Sequence, residues 1–180
     1  MAIPGSSALK KQLRTEMRRL LATPFTETEG VLSKVRDWLR GHPDLRTISC
    51  YSPLPGEIDL TSLVTDFKDI RWVFPRVEGS ELVMHHVSDL RSDLEPGAFG
   101  IAEPKITLEA ISFHEIDAFI CPGLAFDEYG GRLGRGRGFY DRMLANARGD
   151  AWKIGVCREE QIVPDVFGEP HDVVMDEVIS

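Results

Sequence analysis

The chain has 180 residues, 42% of them hydrophobic and 28% charged, with a formal net charge of -8. These values are typical of a soluble globular domain with one core, and the acidic balance argues against general nucleic-acid binding, which needs a broad basic face. No apolar run approaches the ~20 residues of a membrane span, and residues 1–7 lack the regions of a signal peptide. We therefore expect a cytoplasmic, monomeric protein that forms a single domain over residues 1–180.

The first two predicted elements are helices. Ser6 or Ser7 can cap a helix that runs to about residue 22, and Lys10 and Arg14 form a basic row beside its apolar stripe.

The second predicted helix begins near residue 26. Thr26 and Glu29 have the spacing of a capping box, and Gly41 and Pro43 are typical of a helix end.

From residue 47 the pattern changes to short strands. We expect a strand at 47–52, then a helix that Asp59 caps and that runs to residue 67, then strands at 70–74 and 81–87. Turn residues at 77–80 separate the last two strands, so we expect a hairpin there.

The rest of the chain alternates between strands and helices. Residues 88–104 are expected to be irregular, 116–121 is an apolar and therefore central strand, 139–147 is a helix, and 152–157 and 173–179 are strands. Alternation of this kind indicates an α/β fold. With the hairpin included, we expect a three-layer, Rossmann-like sandwich with a mixed central sheet and helices on both faces.

The three cysteines, Cys50, Cys121 and Cys157, each lie in or beside an apolar, β-branched run. An odd number, without the spacing of a disulfide framework or a zinc site, is typical of reduced thiols in a core. Burial is therefore favoured over the alternative of a catalytic cysteine.

Residues 130–142 contain five glycines, four arginines and one aspartate. They follow the predicted strand 116–121 and precede a predicted helix at Phe139. A strand, a basic glycine-rich loop and a helix N-terminus together favour phosphate binding, and ligands of open α/β sheets bind beyond the carboxyl ends of strands.

The composition of this loop suits an anion. Gly134, Gly136 and Gly138 allow backbone N–H groups to come close to a ligand, and Arg135 and Arg137 can donate forked hydrogen bonds to phosphate oxygens. Known nucleotide motifs are excluded, because GxGxxG fails at residue 139 and no Lys-Ser/Thr pair follows a GxxxxG pattern. A solvated turn and an RNA-binding Gly-Arg patch remain as alternatives.

Two residues after the loop have more than one interpretation. Asp141 could complement the helix dipole or bind Mg²⁺ beside phosphates. Tyr140 could stack on a ligand ring or pack in the core.

Eight short segments together resemble the 5-formyltetrahydrofolate cyclo-ligase family, also called 5,10-methenyltetrahydrofolate synthetase. The loop is the specific part, because residues 131–141 read GRLGRGRGFYD and follow PGLAFD at 122–127. The other segments match in chain order, and they are KKQLR at 10–14, YSPLPGEID at 51–59, FPRV at 74–77, FGIAEP at 99–104, and HD at 171–172 with DEVI at 176–179.

The resemblance implies a ligase of one-carbon metabolism. Family members convert 5-formyltetrahydrofolate, with or without a polyglutamate tail, to 5,10-methenyltetrahydrofolate, and they use ATP and Mg²⁺. The family's proposed route phosphorylates the formyl oxygen, after which N10 attacks and phosphate leaves. A non-catalytic paralogue that binds folate or nucleotide and has a regulatory role is the alternative.

The resemblance also implies a set of site residues. Those expected in catalysis are Arg135, Arg137 and Tyr140, and those expected to hold Mg²⁺ are Asp141 and Asp172. Those expected to contact the folate are Ser52, Glu57, Arg137, Gly138, Phe139 and Tyr140. Those expected to bind ATP are Lys10, Lys11, Arg14, Arg132, Gly134, Arg135, Gly136, Arg137, Gly138, Phe139 and Tyr140.

Several of these assignments depend on the resemblance. From residue types alone, Lys10 and Arg14 are solvated helix charges and Glu57 is a loop acid. The loop also departs from the family pattern, because many members have Gly or Lys in place of Arg137 and Tyr in place of Phe139. Arginine keeps the charge of lysine in a planar, forked shape, and phenylalanine lacks the tyrosine hydroxyl.

Overall fold

The computed structural model describes residues 6–180, which contain four α-helices and eleven strands. The helices are α1 (Ser6–Leu21), α2 (Thr28–Gly41), α3 (Leu63–Asp66) and α4 (Phe139–Ala145). The strands are β1 (Thr47–Ser49), β2 (Arg71–Glu78), β3 (Glu81–His86), β4 (Leu94–Pro96), β5 (Ala102–Pro104), β6 (Ala110–Ile111), β7 (Ala118–Cys121), β8 (Ala125–Phe126), β9 (Arg132–Leu133), β10 (Trp152–Val156) and β11 (Glu177–Ile179). Across residues 6–180, no helix combines the length and the apolar character that crossing a membrane requires.

Both N-terminal helices are confirmed, but the predicted capping box of α2 is wrong. The helix begins at Thr28, and Glu27 occupies its N-cap without a side-chain hydrogen bond. The Glu29 carboxylate pairs with the Arg36 guanidinium, two turns further along the same face of the helix, at 2.6 Å. With Glu27 at the N-cap, Thr26 and Glu29 do not occupy the N-cap and third helical positions that a capping box requires, so the box does not form.

The central sheet has seven strands in the order β11-β10-β7-β1-β2-β3-β6. The five strands from β11 to β2 are parallel to one another, whereas β3 pairs antiparallel with both of its neighbours, β2 and β6. The predicted hairpin is confirmed as β2–β3, and it makes the sheet mixed. The predicted central position of β7 is confirmed too, because β7 lies between β10 and β1 and is buried along its whole length.

Helices cover both faces of this sheet, as a three-layer fold requires. Val35 of α2 shares a buried cluster with Ile120 of β7, and Met143 of α4 shares another with Phe119 of the same strand. Successive side chains of a strand point to opposite faces of the sheet. Phe119 and Ile120, which are adjacent in β7, therefore pack against helices on opposite faces.

The thiols of Cys50, Cys121 and Cys157 are free and buried, as predicted. Burial raises the pKa of each thiol to about 12. The three side chains are therefore protonated near neutral pH and act as core residues.

The first helix packs outside the main sheet. Met17 and Leu21 of α1 join Leu124 and Leu133, from the small antiparallel hairpin β8–β9, in a third buried cluster. Because the glycine-rich loop follows β9 directly, this packing sets α1 alongside the loop.

Two predicted segments differ from the structure. The helix expected at 59–67 is confined to α3, because the Asp59 carboxylate accepts hydrogen bonds from the N–H (2.9 Å) and hydroxyl (2.6 Å) of Thr61 and closes a turn before the helix. The segment 88–104 is more regular than expected, since β4 and β5 pair as an antiparallel ribbon.

Asp93 organises the entry to this ribbon. Its carboxylate accepts hydrogen bonds from the N–H groups of Ser88 and Asp89, both at 2.9 Å, and from the hydroxyls of Ser88 (3.0 Å) and Ser92 (2.9 Å). Burial acts to raise the pKa of Asp93, but the hydrogen bonds outweigh burial and lower that pKa to about 2.

We expect Asp93→Ala to lower the free energy of unfolding at neutral pH by about 1–2 kcal/mol, because the loop loses its charged acceptor. An aspartate of the unfolded chain titrates near pH ~4. The pKa of Asp93 is lower in the folded protein than in the unfolded chain. The stabilisation is therefore complete above the unfolded-state pKa and is lost as the pH falls towards the folded-state pKa. Urea unfolding at several pH values measures the effect. If the difference in the free energy of unfolding between wild type and variant stays the same in acid, the prediction is contradicted.

The turn Leu54–Glu57 lies against the end of α1, and Gly56 is the residue that permits this contact. Its φ is 90°, which residues with a side chain rarely adopt, and an added Cβ would clash with the Leu21 carbonyl oxygen. We expect Gly56→Ala to lower the free energy of unfolding by about 2 kcal/mol or more. Gly149→Ala is the control, because an added Cβ there meets nothing within 4 Å. Equal stability of the two variants in urea would show that the turn can move.

Candidate active site

A cavity of about 350 Å³ opens beyond the carboxyl ends of the parallel strands. This is the edge of an open α/β sheet at which ligands bind. The predicted site residues that line the cavity are Ser52, Glu57, Arg132, Gly134, Arg135, Arg137, Gly138, Phe139, Tyr140 and Asp141. Those outside its lining are Lys10, Lys11, Arg14, Gly136 and Asp172.

One wall of the cavity follows β1. Tyr51 is buried, and its hydroxyl donates a hydrogen bond to the Ile58 carbonyl at 2.8 Å, which folds the segment back on itself. Burial raises the pKa of Tyr51 well above its usual range, so this bond persists at neutral pH. The next residue, Ser52, faces the cavity.

Glu57 joins this wall to the glycine loop. One carboxylate oxygen accepts hydrogen bonds from Nε (3.2 Å) and Nη2 (2.8 Å) of Arg135, and the other accepts from the Leu54 N–H at 2.9 Å. The Glu57 side chain is only 7% exposed, whereas that of Arg135 is 37% exposed. The pair therefore fixes a buried carboxylate at the cavity and leaves the guanidinium partly open to ligands.

The glycine loop begins later than the sequence predicted. The hairpin β8–β9 intervenes after β7, and the loop starts at Gly134. Gly136 and Gly138 adopt φ values of 100° and 67°, which favour glycine. Within residues 6–180, the backbone N–H groups of 134–141 donate no hydrogen bond to a protein acceptor. The loop therefore presents a row of donors.

Arg132 lies beneath this row and is almost fully buried, with its side chain 3% exposed. Its Nη2 donates to Asp141 Oδ1 at 2.8 Å, its Nη1 donates to the Pro122 carbonyl at 3.3 Å, and its Cζ lies 5.3 Å from the centre of the Tyr140 ring. These contacts hold the first turn of α4 against the cavity floor.

Tyr140 is half-buried beside the same arginine. Burial raises the pKa of its hydroxyl well above the usual range. The hydroxyl makes no hydrogen bond within the part of the chain that the structure describes. A protonated phenol that faces a cavity can donate a hydrogen bond to a ligand.

Sequence reasoning missed Phe99 as part of the cavity wall. Phe99 has a φ of 59° and is 52% exposed. The Arg137 guanidinium lies over its ring, 4.3 Å from the centre, and the Phe139 ring is 6.5 Å away. Phe99 lies between β4 and β5, so this cation–π contact connects the ribbon β4–β5 with the glycine loop. The matching FGIAEP segment was the signal that could have identified it.

The basic row on α1 divides into two environments. Lys10 is 6% exposed, and its Nζ donates to Asp172 (2.7 Å) and Glu169 (3.0 Å). Burial acts to lower the pKa of Lys10, but these carboxylates outweigh burial and raise it. Arg14, one turn further on, donates from Nε to the Gly134 carbonyl at 3.0 Å. Lys11 points to solvent.

The predicted metal ligands have separate partners. Asp172 belongs to a cluster with Glu169 and His171, in which the potential ligand atoms all lie within 4.8 Å of one another. Asp141 is not in this cluster and pairs with Arg132. Glu169 was missed by the sequence analysis, and no local signal marks it, because it lies 159 positions from Lys10.

Comparison with known proteins decides the family. The model of the 5-formyltetrahydrofolate cyclo-ligase family matches residues 3–180. The chain belongs to the 5-formyltetrahydrofolate cyclo-ligase family. The predicted family membership is confirmed, and with it the expectation of an enzyme, a ligase of folate and one-carbon metabolism.

The relatives match over most of their length. The 5-formyltetrahydrofolate cyclo-ligase of Mycolicibacterium smegmatis is 34% identical over 95% of this chain and 93% of that protein. The cyclo-ligase of Escherichia coli is 35% identical over 74% of this chain and 77% of that protein.

A solved structure confirms the cyclo-ligase fold. The NMR structure of the Aquifex aeolicus 5,10-methenyltetrahydrofolate synthetase has a TM-score of 0.82 and 31% identity, and it covers 95% of this chain and 89% of its own. The expected α/β sandwich with a mixed sheet is therefore the family fold.

Proposed function

We propose that this cyclo-ligase family member converts 5-formyltetrahydrofolate to 5,10-methenyltetrahydrofolate, with ATP hydrolysed to ADP and phosphate. The observation that supports this most is the row of N–H donors at 134–141 on the wall of a mostly apolar cavity. That arrangement suits a phosphate next to a flat heterocycle. The volume of about 350 Å³ lies in the range of small-molecule sites.

The cavity is proposed to hold the pterin. Leu54, Val77 and Ile101 offer apolar walls. Glu57 offers a carboxylate acceptor for pterin N–H donors, and Ser52 adds a hydroxyl at the same wall. Few polar groups among apolar walls are typical of a site that orients one small molecule.

The phosphates of ATP are proposed to lie against the loop. The N–H groups of 134–141 can donate hydrogen bonds to phosphate oxygens at close range, because Gly134, Gly136 and Gly138 carry no side chain there. Arg14 already holds the loop through the Gly134 carbonyl. We propose that the remaining phosphate contacts come from Lys10, Lys11, Arg132, Arg135, Arg137, Phe139 and Tyr140.

Mg²⁺ is proposed to bind Asp141 and Asp172. Carboxylate oxygens suit this ion beside phosphates, and Asp141 Oδ2 has no hydrogen-bond partner in residues 6–180. Bound Mg²⁺ would neutralise phosphate charge.

The proposed reaction balances without a covalent step on the protein. The formyl oxygen takes the γ-phosphoryl group and ADP leaves; N10 then attacks the formyl carbon, phosphate departs with that oxygen, and N10 loses its proton. Positioning and charge neutralisation are the main demands. Arg135 and Arg137 would neutralise charge on the transferred group, and the Tyr140 hydroxyl would orient the formyl oxygen.

A turnover assay tests the proposal. Purified protein is incubated with 5-formyltetrahydrofolate, ATP and Mg²⁺, and methenyl absorbance and ADP are measured together. We expect equal amounts of both products, and none without ATP. Binding of both ligands without turnover would support a non-catalytic paralogue.

We further propose that residues 1–180 form one domain that acts as a cytoplasmic monomer. Support comes from the three buried free thiols, which suit a reducing compartment. Light scattering of the purified protein tests the oligomeric state, and a mass of two chains would contradict it.

A further inference from the structure

Three carboxylates line the cavity of the candidate active site, those of Glu57, Glu103 and Asp141. Glu57 is paired with Arg135, and Asp141 is paired with Arg132. Glu103 has no ion pair within residues 6–180. It is therefore the carboxylate of this cavity whose charge no protein cation neutralises in the described chain.

Glu103 is buried in a wall of the cavity to which β2 and β5 contribute. The residue is 4% exposed, and its Oε1 accepts one long hydrogen bond, from the Val77 N–H at 3.4 Å. Its Oε2 accepts none from residues 6–180. Arg76, the residue before Val77 on β2, pairs with Glu95 instead. Burial of an unpaired charge costs folding free energy, so the position of Glu103 favours a role in the reaction over a role in stability.

The ribbon β4–β5 leaves space for this carboxylate at Gly97. A Cβ added to Gly97 would clash with the Glu103 carboxyl group. The φ of Gly97 is -120°, a value open to residues with a side chain. At this position the space that Glu103 occupies, and not the backbone conformation, therefore requires glycine.

The proposed reaction releases a proton that needs an acceptor. When N10 attacks the formyl carbon, its lone pair forms the new N–C bond, and the C–O bond to the phosphate breaks with both electrons passing to the phosphate oxygen. N10 carries a positive charge until its proton leaves. The phenols of Tyr51 and Tyr140 keep their own protons, because burial raises the pKa of each well above its usual range. Among the described residues, the lining of the cavity includes no histidine, lysine or cysteine.

We propose that Glu103 is the catalytic base that accepts the N10 proton during ring closure. The N10–H bond breaks, its electron pair stays on N10, and the proton passes to Glu103 Oε2. The proposal rests on the proposed function, because the cavity must hold the folate. Glu57 and Glu103 lie on different walls, and the pyrimidine N–H groups and N10 lie at different ends of the folate. One carboxylate can therefore bind the pterin while the other faces N10.

The experiment follows ADP and the methenyl product in a single turnover, with enzyme in excess over 5-formyltetrahydrofolate and with ATP and Mg²⁺ saturating. We expect wild type to form both products in equal amounts. Glu103→Gln keeps an oxygen for the Val77 N–H but cannot accept the proton. This variant should slow methenyl formation by about 10²-fold or more, while ADP forms at nearly the wild-type rate. Glu95→Gln is the matched control, because Glu95 lies opposite Glu103 in the ribbon and does not line the cavity.

Two further measurements separate a base from a structural residue. The free energy of unfolding in urea should be equal or higher in Glu103→Gln, since the amide removes a buried charge. In Glu103→Ala, added formate should restore part of the rate of methenyl formation, because a free carboxylate can enter the space of the deleted side chain. The same addition to Glu95→Ala should change nothing.

Each outcome decides the proposal. Methenyl formation at the wild-type rate in Glu103→Gln would leave the proton to the departing phosphate or to water and would overturn it. A lower stability, with both products slowed equally and no effect of formate, would make Glu103 structural and also overturn it. If wild type forms no methenyl product, the proposed function itself fails, and the role of Glu103 fails with it.

Discussion

Glu57→Gln is expected to lower kcat/KM for the folate by about 100-fold, chiefly through a higher KM. The carboxylate is 7% exposed, and both of its oxygens already accept hydrogen bonds, from Arg135 and from the Leu54 N–H. The amide replaces one acceptor with a donor, which leaves a buried donor unpaired and removes the charge offered to the pterin. A loss of ~3 kcal/mol corresponds to that factor.

Steady-state kinetics and equilibrium binding of the folate measure this effect, with nucleotide binding followed separately. Glu29→Gln is the matched control. Glu29 also pairs with an arginine, but it lies on α2, does not line the cavity, and its side chain is 77% exposed. Folate kinetics within twofold of wild type in Glu57→Gln would remove Glu57 from the substrate site.

Asp141→Asn is expected to lower kcat by about 10²–10³-fold and to raise the Mg²⁺ concentration needed for half-maximal turnover. The substitution removes the negative charge proposed to hold the ion, while the asparagine oxygen can still accept the hydrogen bond from Arg132. Electrostatic contributions of this size are typical of phosphoryl-transfer sites.

The metal titration separates the two roles of Asp141. If the residue only positions Arg132, turnover falls but the Mg²⁺ dependence does not move. Asp150→Asn is the control, since Asp150 pairs with Arg148 at 2.8 Å and is 78% exposed. Urea unfolding of both variants shows how much of the loss comes from stability, because the Arg132 side chain is buried.

Local patterns predicted most of the secondary structure, and the exceptions have local causes. The hairpin β2–β3 and the buried strand β7 were predictable from alternation and from an apolar run. The capping box of α2 was not, because the N-cap of the helix falls at Glu27 instead of Thr26. The helix near 59–67 was predicted too long, because a single aspartate side chain closed a turn with Thr61 instead of capping the helix.

The sequence predicted which residues belong to the candidate site, but it predicted their spatial arrangement only in part. The loop motif identified the residues around Gly134–Asp141, and all of these except Gly136 line the cavity with Glu57 and Ser52. The separation of Lys10 and Asp172 from that lining, and the contact between Phe99 and Arg137, had no counterpart in local spacing. The roles of these residues stay predictions that the variants above test.

The sequence by itself determined the α/β class and the family, and it predicted phosphate binding at the loop, because these depend on periodicity and on residues that are adjacent in the chain. Only the tertiary structure decided which charges are paired. Glu57 meets Arg135 across 78 positions and Lys10 meets Asp172 across 162, whereas Arg158 is buried without an anionic partner in the described chain. Pairing depends on distance and burial, which chain folding sets and residue spacing does not.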